Sequence, residues 1–467
     1  MMKRFFAILL MLIVTCAHAD EDEPRLLIKF ATRERPEQLF TTLDAYYQRL
    51  SGSANCTFLI SCDEHDVAMN NSDVIMRLQQ YSNLKTIFGP YKSPVQLLNR
   101  DVDQVDFDVV LIASDDSAPL VDGFDHIIVD QMREHFPDFD GIINLGEGHT
   151  DVSANTMPIV GKNWFHHIGY VFYPAYTEYY HDCELTIVAR MLYKEFLYEP
   201  PLIRHKKSVA PKQRKRRASH NAKEPDATNT VDYALFCARQ QSFFDIDEST
   251  IRAATRKDWS ILICTIYDRQ ELFERIYTKL CQQIAALDLE DRVEILYFLD
   301  ERGQHSIGYK RNWLLQHSNG FYVNHIDDDD DVADNYIKMI YEKLEENADF
   351  VRVAGRMISV NGTVRPFVHA LNCKTCSRKK DIDYRIPIHL NTMKRYIAVQ
   401  TTFPEINRGE DYSWGFELVR LNLYKTEAII DTPYYFYLPS SVHERRMRRK
   451  DGFYEKALRQ CKSKVLK

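Results

Sequence analysis

The feature that most constrains the fold is a pattern that occurs twice. A short apolar run, LLIKFA (26–31), is followed by TFLISCDEHD (57–66) and then by DVVLIASDD (108–116). After residue 256 the same order returns as SILICT (260–265), VEILYFLDERG (293–303) and GFYVNHIDDDDD (320–331). Each first run leads into an arginine and a helix-like stretch, each second run ends on an aspartate, and each third on two or more aspartates. Short apolar runs separated by helical patterns such as YKRNWLLQHS predict a mostly parallel sheet with helices on both faces. The expectation is an α/β chain of two tandem Rossmann-like domains that look like a duplication.

The 467-residue length suits two to three domains. With 45% hydrophobic and 12% aromatic residues the chain can bury large cores, and 27% charged residues do not make it a disordered polymer. A net charge of -7 gives no global ground for binding nucleic acid. RHKKSVAPKQRKRRASHNAKEPDATNT is basic, then polar, and nearly free of large apolar residues. We therefore expect a linker over 204–256 between domains at 25–203 and 257–445, with a basic tail at 446–467. The KQRKRR cluster reads as part of a solvated tether.

The first residues have a basic start, an apolar stretch from Phe5 to Cys16 and an Ala17-His18-Ala19 ending. This is the build of a secretory signal peptide over 1–19, the alternative being an uncleaved anchor that associates the chain with a membrane. Either implies the secretory route. Beyond Cys16 nine cysteines remain, an odd number, with Cys56–Cys62 and Cys373–Cys376 as candidate local bridges. CKTC has no second pair at zinc spacing, so a zinc site is not expected.

Ligands of open α/β sheets bind at the carboxyl ends of the strands, where both halves carry aspartates. Five neighbouring carboxylates at 327–331 repel unless solvent or a cation neutralises them. Mg²⁺ or Mn²⁺ would do so by joining one or two carboxylates to substrate phosphates. The helix-like VADNYIKMIYEKL pins the run from behind.

"GYKRNWLLQHSNGFYVNHIDDDDD" resembles the part of family 2 glycosyltransferases in which a Lys-Arg-Asn helix and a strand lead into a D-x-D-D motif. "IHLNTMKRYIAVQTTFPEINRGEDYSWGFEL" (388–418) resembles that family's acceptor-side segment ending in a Glu-Asp pair. The resemblance covers about 258–440 and implies a nucleotide-diphospho-sugar transferase fold. Asp300 would contact the donor base, with Thr265, Tyr267 and Arg269 at the same end. Lys310, Arg311 and Asn312 would lie near the donor. Asp327 and Asp329, with Asp330 beside them, would hold the metal, Asp328 and Asp331 being alternatives. Asp411 of the Glu410-Asp411 pair would be the general base of an inverting transfer, with Trp414 and His389 as further cleft candidates.

Residues 26–200 resemble the same family more loosely. By position Asp63 would correspond to Asp300, Asp115 and Asp116 to the metal motif, and Asp182 to Asp411, without D-x-D or Lys-Arg-Asn. The implied partners are a nucleotide-sugar donor and a glycan, glycolipid or glycoprotein acceptor. Two other readings compete: a secreted glycan-binding protein on decayed transferase domains, and a metal-dependent nucleotide-sugar hydrolase.

Overall fold

The computed structural model describes residues 23–52, 55–145, 154–205, 227–359, 362–373, 376–379 and 381–438. The 1–19 stretch, the KQRKRR cluster and the tail at 446–467 lie outside them. No helix among the described residues is long and apolar enough to cross a membrane.

The first half contains strands β1 (Leu26–Thr32), β2 (Cys56–Asp63), β3 (Leu84–Gly89), β4 (Val109–Ala113), β5 (Ser117–Pro119), β6 (Ile142–Leu145), β7 (Ile159–Gly161), β8 (Glu195–Tyr198) and β9 (Ile203–His205). The second contains β10 (Lys257–Ile266), β11 (Val293–Asp300), β12 (Gly320–His325), β13 (Asp331–Val332), β14 (Phe350–Val351), β15 (Val353–Ile358), β16 (Val364–His369), β17 (Ser377–Lys379), β18 (Ile382–Arg385), β19 (Met393–Lys394), β20 (Glu427–Ala428) and β21 (Tyr435–Tyr437).

The halves share one strand order, except that β3 at the edge of the first sheet has no counterpart in the second. The first sheet runs β3-β2-β1-β4-β7-β6-β8 and the second β11-β10-β12-β19-β14-β20. In both, a parallel block is followed by one antiparallel strand, β7 or β19, and then by a parallel pair. The small β5-β9 ladder has its counterpart in β13-β21, which in the second half extends into a further sheet, β13-β21-β15-β16-β18-β17.

Burial follows from the two-residue period of a strand. Leu26, Ile28 and Phe30 pack on helices Pro36–Gln48 and Phe124–His135, while Leu27 joins a second core that continues without a break into the other half. Between the halves, fully buried Arg395 donates to Ser318 Oγ at 2.9 Å, to Leu315 O and Gln316 O at two helix-end carbonyls, and to Arg190 O of the first half. Its guanidinium lies 4.2 Å over the Tyr193 ring.

The expected linker is only partly one. Residues 227–241 and 248–254 are helical and pack between the halves. Asp232 accepts from the backbone N–H groups of Thr177, Glu178 and Tyr179, Arg239 pairs with Glu184 at 2.7 Å, and Gln240 donates to Gln400 O at 2.9 Å. Composition concealed this because the segment's polar side chains are satisfied by distant parts of the chain. The expected bridges are absent: Cys56, Cys62, Cys373 and Cys376 are all free. Cys56 and Cys62 sit near opposite ends of β2, roughly 20 Å apart at the rise of an extended strand.

Candidate functional site

Register makes the halves comparable residue by residue. Thr32 pairs with Cys62 and Thr265 with Leu299, so Asp63 and Asp300 follow at the same position. Carried from β1 to β4 and from β10 to β12, the same register matches Ala113 to Ile326. Asp115 is therefore the counterpart of Asp328, Asp116 of Asp329, and Ser114 of Asp327. Hydrogen bonds repeat the match: Thr32 Oγ1 donates to Asp115 at 2.8 Å and Thr265 Oγ1 to Asp328 at 2.9 Å.

In the second half a cleft of about 790 Å³ opens at the strand ends, lined among others by Thr265, Arg269, Arg311, Asp327, Asp329 and Asp411. The five aspartates divide their work. Asp328 is buried and held by Thr265 and by Arg269 at 2.7 Å. Asp330, expected beside the metal pair, is fully buried, and its two oxygens accept from Tyr435 Oη and Leu438 N at 2.7 Å each. It locks the run to β21 and is unavailable to an ion. Asp331 pairs with Lys279 at 3.0 Å. Only Asp327 and Asp329 turn to the cleft with capacity to spare.

Their electrostatics differ. Burial raises Asp327, but Arg311 at 2.8 Å and His389 hold its carboxyl well below the usual carboxylate range. Asp329 is pushed up to about 7, first by burial and then by the negative charges of Asp327 and Asp328, with Arg269 opposing. Among the described residues no three His, Cys, Asp or Glu side chains form a cage for an ion. Two hard oxygen donors facing a wide cleft nevertheless fit Mg²⁺ or Mn²⁺, whose remaining ligands come from phosphates and water.

Asp411 enters from the other side. Gly409, with φ +78°, turns the chain into helix Glu410–Arg420, which fixes Glu410 and Asp411 in the first turn. Glu410 is buried against Arg311 at 3.3 Å, so it positions that arginine. Buried His389 lies between two cleft carboxylates, Nε2 3.5 Å from Asp327 and Nδ1 3.4 Å from Asp411. These are ion-pair distances beyond a good hydrogen bond. Burial raises the Asp411 carboxyl, but His389 and then Arg311 bring it well below normal, so it stands ionised.

Several expected donor contacts are framework. Both Asp300 oxygens are occupied, by Lys310 Nζ at 2.6 Å and by His305 at 3.2 Å, so Asp300 is a buried anchor while Lys310 and His305 line the cleft. Asn312 is clamped to the backbone of Phe403 in both directions at 2.8 Å. Tyr267 is exposed and lies outside the cleft lining. Trp414 is buried, stacked on Phe403 with centroids 4.4 Å apart, and is core. Sequence reasoning passed over Arg385 and Arg408, which line the cleft from a strand and a loop without any recognisable motif.

In the first half, Asp63 meets Arg33 at 3.3 Å and Asp115 is filled by Thr32, Gln38 and Arg35. Asp115 thus leaves the metal set. Asp116 alone keeps the ligand position, and it pairs with Nδ1 of His205 at 2.9 Å. Asp182 occupies the second position of helix His181–Met191, after left-handed Tyr180, as Asp411 does after Gly409.

No family model matches the chain, and no curated protein matches it. Among solved structures it is similar to the mannosyltransferase PcManGT of Pyrobaculum calidifontis in complex with GDP-Man and Mn²⁺, at 12% identity, 50% of this chain, 74% of that one and a TM-score of 0.34. TarS 1-349 of S. aureus in complex with UDP-GlcNAc is similar at 10% identity, 49% of this chain, 70% of that one and a TM-score of 0.35.

Proposed function

We propose that the chain is a glycosyltransferase that takes a sugar from a nucleotide-diphosphate-sugar donor, with the chemistry in its second half. The observation that carries this reading is Asp411 and the Asp327–Asp329 pair lining one cleft, with His389 between Asp411 and Asp327. A transfer needs a base for the incoming hydroxyl and positive charge for the departing diphosphate. The acceptor oxygen attacks the anomeric carbon and passes its proton to Asp411, while the bond to the diphosphate breaks, with inversion. A bound Mg²⁺ or Mn²⁺ would supply charge to the leaving group, with Asp329 and Asp327 as its protein ligands. Thr265, Arg269 and His305 line the donor end, and Arg311 orders Asp327. The acceptor is a hydroxyl of a glycan, glycolipid or glycoprotein.

The first half is the lesser site on this reading, because Ser114 replaces the first metal carboxylate and His205 is already paired to Asp116. Calorimetric titration of UDP and GDP with and without Mn²⁺ tests the donor site. Metal-dependent binding is the expected result; none under either condition overturns the reading in favour of a glycan-holding protein. Donor cleavage that survives Asp411→Asn would mark a hydrolase instead.

A further inference from the structure

A second pocket of about 440 Å³ meets the main cleft at Asp411. It is lined by Tyr384, Arg385, Ile388, Asp411, Tyr412 and the hairpin residue Arg378. The cations around the two spaces are unequal. Arg269 and Arg311 are each held by two carboxylates, Arg302 by Asp268 and Arg378 by Asp383. Arg408 and Arg385 have no ion pair among the described residues; Arg408 is exposed, whereas Arg385 is half-buried at the end of β18 and lines both spaces. Its guanidinium lies over the Phe367 ring at 5.4 Å, a cation–π contact that leaves its N–H groups free to donate. Tyr412, in the turn that carries Asp411, is 42% exposed and offers its ring as a platform.

We propose that this pocket binds the acceptor and that Arg385 selects an anionic one, a sugar unit bearing a carboxylate or phosphate next to the hydroxyl that reaches Asp411. This rests on the glycosyl-transfer reading above. An aromatic ring accepts the apolar face of a sugar. A guanidinium with no carboxylate partner among the described residues matches a carboxylate or phosphate in two parallel hydrogen bonds. A neutral acceptor would leave that half-buried cation unmatched.

The test uses the full chain, with binding read by saturation-transfer NMR for three probes of similar size: a hexuronate disaccharide, a disaccharide phosphate and a neutral disaccharide. Wild type should hold one or both anionic probes about tenfold more tightly than the neutral one, the strength of a charge-assisted contact, and the better of the two identifies the anion. Arg385→Met should erase the preference and Arg385→Lys should keep part of it, with nucleotide affinity in Mn²⁺ unchanged in both. Equal affinity for neutral and anionic probes, or no affinity for any, overturns the proposal. A tenfold loss of nucleotide affinity in Arg385→Met also overturns it, by assigning the guanidinium to the donor diphosphate. Wild type that prefers anionic probes but binds no nucleotide supports the pocket and removes the transferase reading instead.

Discussion

Nδ1 of His389 lies 3.4 Å from the carboxylate of Asp411, and the other nitrogen of the same ring lies 3.5 Å from Asp327. One buried imidazole thus stands between the proposed base and a cleft-facing carboxylate. His389→Ala should lower turnover by about 10²-fold through lost orientation. Nucleotide affinity should change no more than a few-fold, because Asp329 and Arg269 are untouched. Rate and calorimetric measurements on the same preparation check this; equal losses in both would make His389 a donor-binding group.

Neighbouring aspartates should fail in different ways. Asp329→Asn should abolish metal-dependent nucleotide binding while the melting temperature stays near wild type. Asp330→Ala leaves Tyr435 Oη and Leu438 N without their buried acceptor. It should cost about 2–4 kcal/mol of stability, seen in thermal or urea melts.

Stoichiometry distinguishes the halves. With Ser114 where the second half has Asp327, Mn²⁺-dependent nucleotide binding should titrate to one site per chain and vanish in Asp329→Asn. A second site that survives this substitution and disappears in Asp116→Asn would show the first half to be live.

Lys29, in the middle of β1, is buried, and that burial brings its amine down to about 7. Its unfolded value is 10.5, so between these pH values the unfolded chain binds more protons and the lysine's penalty shrinks as pH rises. Lys29→Met should therefore gain most on wild type at pH 7 and progressively less toward pH 10. Paired denaturant melts across that range read the slope.

Thiol labelling tests the free cysteines. Burial pushes the Cys56 and Cys62 thiols up to about 12, so both should resist alkylation in the native protein, with exposed Cys376 reacting first among the described cysteines.

Much of the architecture was legible because apolar runs ending in aspartate are dictated by a parallel sheet with its site at the strand ends. The aspartate run 327–331 could be read as cleft-facing for that reason, whereas Asp327 and Asp329 within it, and Asp411 on its helix, were singled out by the resemblance to family 2 glycosyltransferases. What could not be read was the spending of charge. Lys310 is used on Asp300, and Tyr435, more than a hundred residues away, occupies Asp330. In the first half the adjacent pair Asp115-Asp116 invited a metal assignment to both, and only cross-strand register shows that the pair is offset by one from the D-x-D. Helix Ala227–Gln241 was hidden because Asp232 and Arg239 look like surface charges until their partners are known.

The shared interior has a consequence for inheritance. Arg395 caps carbonyls of both halves, and one apolar core runs through them. Deleting either half would strip the other of part of its inner wall. A gene for this chain can therefore shed the chemistry of its first half far more readily than the half itself, since selection on folding alone is enough to preserve it.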